Sequence, residues 1–266
     1  MKKLLPIIII FTFNLSFSQI DKLKGNWISE KNEAISIIDT LDSFNGLMNE
    51  TKYEYFHLKI KSDTLIFRPW HSSTDNAILN RFELKLIVNN ENSLTIQPIS
   101  KLSIDFFKTD SPITFINQKQ IIDKSFVFEK LIFHSSSCFG SCPIVHLEIS
   151  SNRKLKLTGN YYQENSKKKD EKRSGNYNGE LTQNEYNRLI DLIIKSRITT
   201  YGDTDKNANF CCDGSIKTLV LYHNGKRKYY KAMFTPPLLD ELISFLYNID
   251  KEAILTKTRN EFEFEK

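Results

Sequence analysis

The chain has 266 residues, with 37 lysines and arginines set against 32 aspartates and glutamates, for a formal charge of +5. So small an excess over such a length excludes the densely basic surface by which proteins hold nucleic acid. Plentiful phenylalanine and tyrosine, 19 and 11, with only 9 glycines and 7 prolines, suit a strand-rich globular protein rather than a low-complexity chain.

Residues 1–18 open with Lys2 and Lys3, continue through an almost wholly apolar stretch at 4–13, and end on Ser16-Phe17-Ser18. A basic start, a short apolar run and small residues at its end form a cleavable signal peptide. The apolar run is half the roughly 20 residues that span a bilayer as a helix. Cleavage is expected before Gln19, giving an exported chain, periplasmic or secreted, with no membrane span in its mature form. Removing the leader takes Lys2 and Lys3 with it and leaves 248 residues, enough for two domains.

Residues 19–127 read as one antiparallel β-domain, a small barrel or half-barrel. Phe56, Leu58 and Ile60 alternate with His57 and Lys59, and Leu65 and Phe67 follow a polar turn. Phe82, Leu84, Leu86 and Val88 lead through 89–92 to Leu94 and Ile96 in the same manner. Each pair is a hairpin with one apolar face. Near the start, Gly25-Asn26-Trp27 resembles the Gly-x-Trp opening of lipocalin-like barrels, a resemblance that implies a tryptophan closing the barrel base.

A polar stretch at 118–125 marks the boundary, and residues 128–252 read as an α+β domain. The run 126–133 is followed by Cys138-Phe139-Gly140-Ser141-Cys142-Pro143, two cysteines four apart on a tight loop. Val145, Leu147 and Ile149 then share one strand face, and Leu155 and Leu157 return. The segment 163–173 holds five basic and three acidic residues without apolar periodicity, which makes it a solvated loop or hairpin tip. Thr182-Gln183-Asn184-Glu185 is a capping box opening a helix with Tyr186, Leu189, Ile190 and Ile193 on one stripe. Asn224-Gly225 joins two further strands as a two-residue hairpin turn. A second helix begins at Pro236-Pro237, with Thr235 as its expected cap and Leu238, Leu239, Leu242, Phe245, Leu246 and Ile249 as its stripe. The order predicts an antiparallel sheet with two helices on one face. Residues 253–266 are expected to form a charged C-terminal tail.

These residues resemble a family of bacterial exported domains, domain-of-unknown-function family 6438. The resemblance rests on the Cys-x-Gly-x-Cys-Pro element, Gly159, the capped helix at Thr182, Asp205, the Asn224-Gly225-Lys226 turn and the helix 237–249. It covers about 128–252 and implies export and this fold pattern, with no reaction attached. Cys211-Cys212-Asp213-Gly214 departs from the commoner form of the family, so the second cysteine pair inherits no role.

Four cysteines in an exported chain favour disulfides over metal. Cys138 and Cys142 can bond each other, with Gly140 permitting the turn, or each can bond Cys211 or Cys212; four cysteines allow three pairings. The string Cys-x-x-x-Cys-Pro is also similar to the copper motif of thioredoxin-fold copper-delivery proteins, where a following helix lowers a thiol pKa. Here Pro143 leads into an alternating, strand-like run. His134, Cys138, Cys142 and His146 fall at four-residue intervals, a zinc pattern only if the segment were helical. Ser135-Ser136-Ser137 lacks a nucleophile turn, and Asp203, Asp205 and Asp213 lack calcium-loop spacing. The reading therefore leans away from an enzyme and assigns no cofactor, no catalytic residue and no metal. It expects an exported binding or envelope-associated module for an unknown protein or small ligand. The alternatives are a periplasmic thiol-redox or copper-handling protein using Cys138 and Cys142, and a carrier of a small apolar ligand in the N-terminal domain.

Overall fold

The computed structural model describes residues 21–40, 45–49, 53–69, 80–163, 166–201 and 214–265. The expected signal peptide, and with it Gln19, lies outside the described residues. Among those described, no helix is long and apolar enough to cross a membrane. The chain divides into two compact units, Met1–Ile121 and Ile122–Lys266, at a point inside the polar stretch 118–125.

The first unit is a closed, eight-stranded antiparallel barrel in which every strand pairs with its neighbour in the chain. Its strands are β1 (Gly25–Ser29), β2 (Ala34–Ile37), β3 (Asn45–Met48), β4 (Tyr53–Lys61), β5 (Thr64–Pro69), β6 (Phe82–Asn89), β7 (Ser93–Pro98) and β8 (Ile113–Asn117). Pairing of Trp27 with Asn117 and of Ser29 with Phe115 closes β1 on β8. Both hairpins read from alternation are present, as β4–β5 and β6–β7. Their apolar sets face inward except at Val88, which a register shift after Leu86 leaves 43% exposed: Phe56, Leu58, Leu65, Phe67, Phe82, Leu84, Leu94 and Ile96 all belong to one buried cluster with Trp27 and Phe115.

Eight strands leave an interior about wide enough for side chains to fill. Aromatic rings occupy it here. Phe56 meets Phe67 and Phe82 edge-on, at 5.9 and 5.1 Å between ring centres. A helix between β7 and β8, α1 (Lys101–Phe107), adds Phe106 and Phe107 to the same core. Its N-terminus is capped by Ser100 and Ser103, and Ser103 Oγ also donates to the Glu83 carbonyl at 2.9 Å, which ties the helix to β6. Trp27 is fully buried, with Nε1 donating to the Leu23 carbonyl at 2.7 Å.

The second unit holds a seven-stranded antiparallel sheet in the order β14-β13-β9-β10-β11-β12-β15. Its elements are β9 (Phe128–Ser135), β10 (Ile144–Ser150), β11 (Lys154–Asn160), β12 (Gly175–Glu180), α2 (Gln183–Ser196), β13 (Lys217–His223), β14 (Lys226–Ala232), α3 (Asp240–Tyr247), α4 (Ile249–Glu252) and β15 (Ile254–Thr258). The capping box forms as read: Thr182 Oγ1 accepts from the Glu185 amide, and Glu185 Oε2 accepts from the Thr182 amide at 2.9 Å. Asn224 and Gly225 take φ of 51° and 70°, the double positive φ of a two-residue hairpin turn.

Three details differ from expectation. Thr235 is not the cap of the second helix: Pro236 stands there, before a single 3-10 turn, Pro237–Leu239, that runs into α3. A strand at Gly175–Glu180 joins the sheet where none was read. The segment 253–266, expected as a charged tail, contributes β15, the strand beyond β12.

Register divides the sheet into two faces. Leu131 and Phe133 of β9 share one with Leu147 and Ile149 of β10 and with Leu219 and Leu221 of β13, all fully buried. Tyr247 of α3 meets Phe133 edge-on at 5.3 Å. Lys130, Ile132 and His134 share the opposite face with His146 and Glu148 of β10 and with Thr218, Val220 and Tyr222 of β13. Of these residues only Ile132 and Val220 are apolar.

Candidate functional site

β9 ends at Ser135 and β10 begins at Ile144, so the intervening loop, 136–143, projects from one end of the sheet. Its base is held firmly. Ser135 is buried, and its Oγ donates to the Pro143 carbonyl and accepts from the Val145 amide, both at 2.9 Å. Ser136 exchanges bonds with Ile216, and Ser215 Oγ donates to the Ser136 carbonyl at 2.7 Å.

Within the loop, Cys138 and Cys142 form a disulfide with their Cα atoms 5.6 Å apart, inside the roughly 4.4–6.8 Å a bridge requires. The amides of Gly140 and Cys142 both donate to Cys138 Sγ at 3.3 Å. The two backbone bonds and the covalent bond fold the loop over the sulfur and turn Phe139 outward. That ring is 79% exposed, a large apolar side chain held in solvent on a constrained tip.

The β11–β12 connection stands beside it. Lys167 Nζ lies over the Phe139 ring, 5.3 Å from its centre. The basic segment 163–173, read as a solvated loop, is organised at its base by a bridge between Tyr162 and Lys169. Asp170 Oδ1 accepts from the Lys172 and Arg173 amides. Arg173 covers the buried Tyr161 ring at 4.4 Å and pairs with Asp250. Burial pushes the Tyr161 hydroxyl well above its ordinary range, so it stays neutral. Phe234, 60% exposed, follows β14 at this same end of the sheet. Lys217 is half-buried there, and burial pushes its ammonium pKa down while Asp240 opposes the shift; its Nζ donates to the Met233 carbonyl at 2.6 Å.

Pro143 leads into β10, so a strand and not a helix follows the cysteines, and their sulfurs are bonded to each other. His134 and His146 come together as a cross-strand pair with Nδ1 atoms 2.9 Å apart, on the polar sheet face. Among the described residues, no group of three or more His, Cys, Asp or Glu is placed to hold a metal ion. Cys211 and Cys212, with Asp203, Asp205 and Asp213, lie outside the described residues.

One feature escaped the sequence reading: residues 262–265 lie against the polar face, with Phe264 near both histidines and Glu265 bonded to Tyr222 and Arg227. The available signal was the alternation of Phe262 and Phe264 with glutamates.

Residues 129–252 match the model of a family described as Domain of unknown function (DUF6438). The match falls within the second unit and agrees with the stretch on which the resemblance was read. A search of the curated proteins finds no match to the chain.

Proposed function

We propose that the protein is an exported, non-catalytic binding module, associated with the cell envelope, that contacts its partner through the loop end of the second unit. The observation that carries this reading is the exposed Phe139 on a disulfide-closed tip whose base is hydrogen-bonded into the sheet. A large ring costs free energy in water, and a rigid loop loses little entropy when it docks. Lys167 beside the ring suits a ligand with apolar and anionic parts. Export draws support from the pattern at 1–18 and from the disulfide, since such bonds persist in oxidising compartments.

We read the fold more finely as two helices, α2 and α3, on the apolar face of the sheet. Ring contacts of Tyr186 with Phe128 and of Tyr247 with Phe133 favour this arrangement. The thiol-redox reading draws less support, because a strand follows Pro143. The carrier reading draws less as well, because packed rings occupy the barrel interior.

Cosedimentation of the purified chain with isolated bacterial cell envelopes tests the proposal. Phe139→Ser should lower the bound fraction at least ~10-fold, the scale of losing one anchor residue, with no change in melting temperature. Equal sedimentation of parent and variant would remove the loop from the contact.

A further inference from the structure

We infer that the polar face of the seven-stranded sheet is a binding site for extended peptides of the pattern Phe-x-Phe-Glu, and that residues 262–265 occupy it in cis as a displaceable competitor. Its carboxylate subsite is built from three strands. Tyr222 of β13 donates its hydroxyl to both Glu265 carboxylate oxygens, at 2.7 and 2.9 Å. Arg227 of β14 donates Nε to the same carboxylate at 2.9 Å, and Lys130 of β9 approaches it at 3.4 Å. Register sets these three side by side on one face, since Tyr222 pairs with both Lys130 and Arg227. Lys130 Nζ also lies 4.6 Å from the centre of the Tyr222 ring. Together they form a carboxylate receptor with an aromatic floor.

A second subsite reads the aromatic residue. The Phe264 ring centre lies 6.2 Å from His134 and 6.0 Å from His146, and Phe262 meets Phe264 at 6.0 Å. His134 Nε2 lies 2.6 Å from the Glu265 backbone carbonyl. A carbonyl only accepts, so that nitrogen carries the proton. In a neutral ring, His134 Nδ1 then accepts from His146 Nδ1–H across the 2.9 Å contact. The histidine pair thus presents one donor and a flat surface to an incoming chain.

Ile132 and Val220 are the apolar side chains in the middle of this face, and both are fully buried. The anchoring residues surround them in register: Ile132 lies between Lys130 and His134 and opposite Val220. Phe262, Phe264 and Glu265 are half-buried, while Glu261 and Glu263 are exposed. From Glu261 to Phe264 that alternation is what an extended peptide shows when every second side chain is read, and Glu265 departs from it because its carboxylate turns onto Tyr222 and Arg227. The polar contacts are partly solvated and individually weak. What holds the segment is tethering: a short linker gives an effective concentration on the order of millimolar. A peptide with the same pattern competes once the tethered copy is weakened.

The test uses the full chain and a fluorescein-labelled peptide with the sequence of residues 260–265. Phe264→Ala with Glu265→Ala should empty the face, and the peptide should then bind at least ~10-fold more tightly than to the parent, whose own segment competes. Adding Arg227→Ala to that variant should weaken binding about 2- to 5-fold, the scale of losing one partly solvated charge pair. Equal binding to parent and double variant, or binding indifferent to Arg227→Ala, would overturn the inference. A measurement on the unmodified chain guards against a variant that misfolds: excess unlabelled peptide should displace the segment and speed tryptic cleavage after Arg259. An unchanged cleavage rate would overturn it equally.

Discussion

Arg173 and Asp250, 77 residues apart in the chain, meet as a fork: Nε donates to Oδ2 at 2.7 Å and Nη2 to Oδ1 at 3.0 Å. The Asp250 side chain is 8% exposed, so the pair is shielded on one side. It joins the basic β11–β12 connection to α4, and the guanidinium also roofs Tyr161. Charge-assisted, two-pronged bonds are stronger than neutral ones. Asp250→Asn should therefore destabilise the second unit by about 1–3 kcal/mol, read as a lower urea midpoint at unchanged slope. A loss under about 0.3 kcal/mol would class the pair with ordinary surface salt bridges.

The Asn224-Gly225 turn gives a test of backbone conformation alone. Gly225 has φ of +70°, and open space surrounds the position where a Cβ would stand. A clash with neighbours therefore contributes nothing to the effect of a substitution there. Gly225→Val places a β-branched residue in the left-handed region, at about 1–3 kcal/mol. The Gly225 amide bond to Glu129 Oε1 needs no side chain and should survive. Lys226→Val, one residue on in an exposed strand position, should stay within about 0.5 kcal/mol of the parent. Similar melting temperatures for both variants would contradict the turn.

Elements carried by local pattern were legible in the sequence: the hairpins at 56–67 and 82–96, the capping box, the Asn-Gly turn and the cysteine loop. Each is specified within ten or so residues. β12 was not legible, because Gly175 and Gly179 replace the apolar face and Tyr177 alone is buried on it. Gly179 is tolerated there because the side chain of Leu255 in β15 occupies the space a Cβ would take. Its reason lies about 75 residues downstream, where no local period can show it. The sheet order was hidden for the same cause, since hairpin signals pair neighbours while β13 actually pairs with β9. At the candidate site the disulfide was among the pairings open to sequence. The approach of Lys167 to Phe139, and of Glu265 to Tyr222, follows from that order and not from any motif.

Oxidation of Cys138 and Cys142 closes a very short loop, so it removes little entropy from the unfolded chain. The loop-length relation gives about 2 kcal/mol at most. Replacing both with serine should lower the melting temperature modestly, and the sheet should remain folded. The larger effect falls on Phe139, because the two amide bonds to Cys138 Sγ weaken with the loss of sulfur. Faster amide exchange confined to 136–143 is the expected signature. A global loss of structure would show that the bond does more than shape the tip.

Acid should release the segment that lies on the polar face. The Glu265 carboxyl is held below its ordinary value of 4.5, first by the Tyr222 hydroxyl bond and then by bonds from Arg227 and Lys130. Arg227 is shifted up in turn, chiefly by the same carboxylate. The depressed value belongs to the docked form, which binds fewer protons than the released form in the window below 4.5. Docking is thus fully stabilised above 4.5 and weakens as pH falls through the docked value. His134 and His146 face the same segment, so the carboxylate step must be read on Glu265 itself. Carbon-detected NMR of the Glu265 carboxyl should give a midpoint below 4.5, and Tyr222→Phe should move it upward. An ordinary midpoint in the parent, or no movement in the variant, would mean that the carboxylate does not rest on Tyr222 in solution.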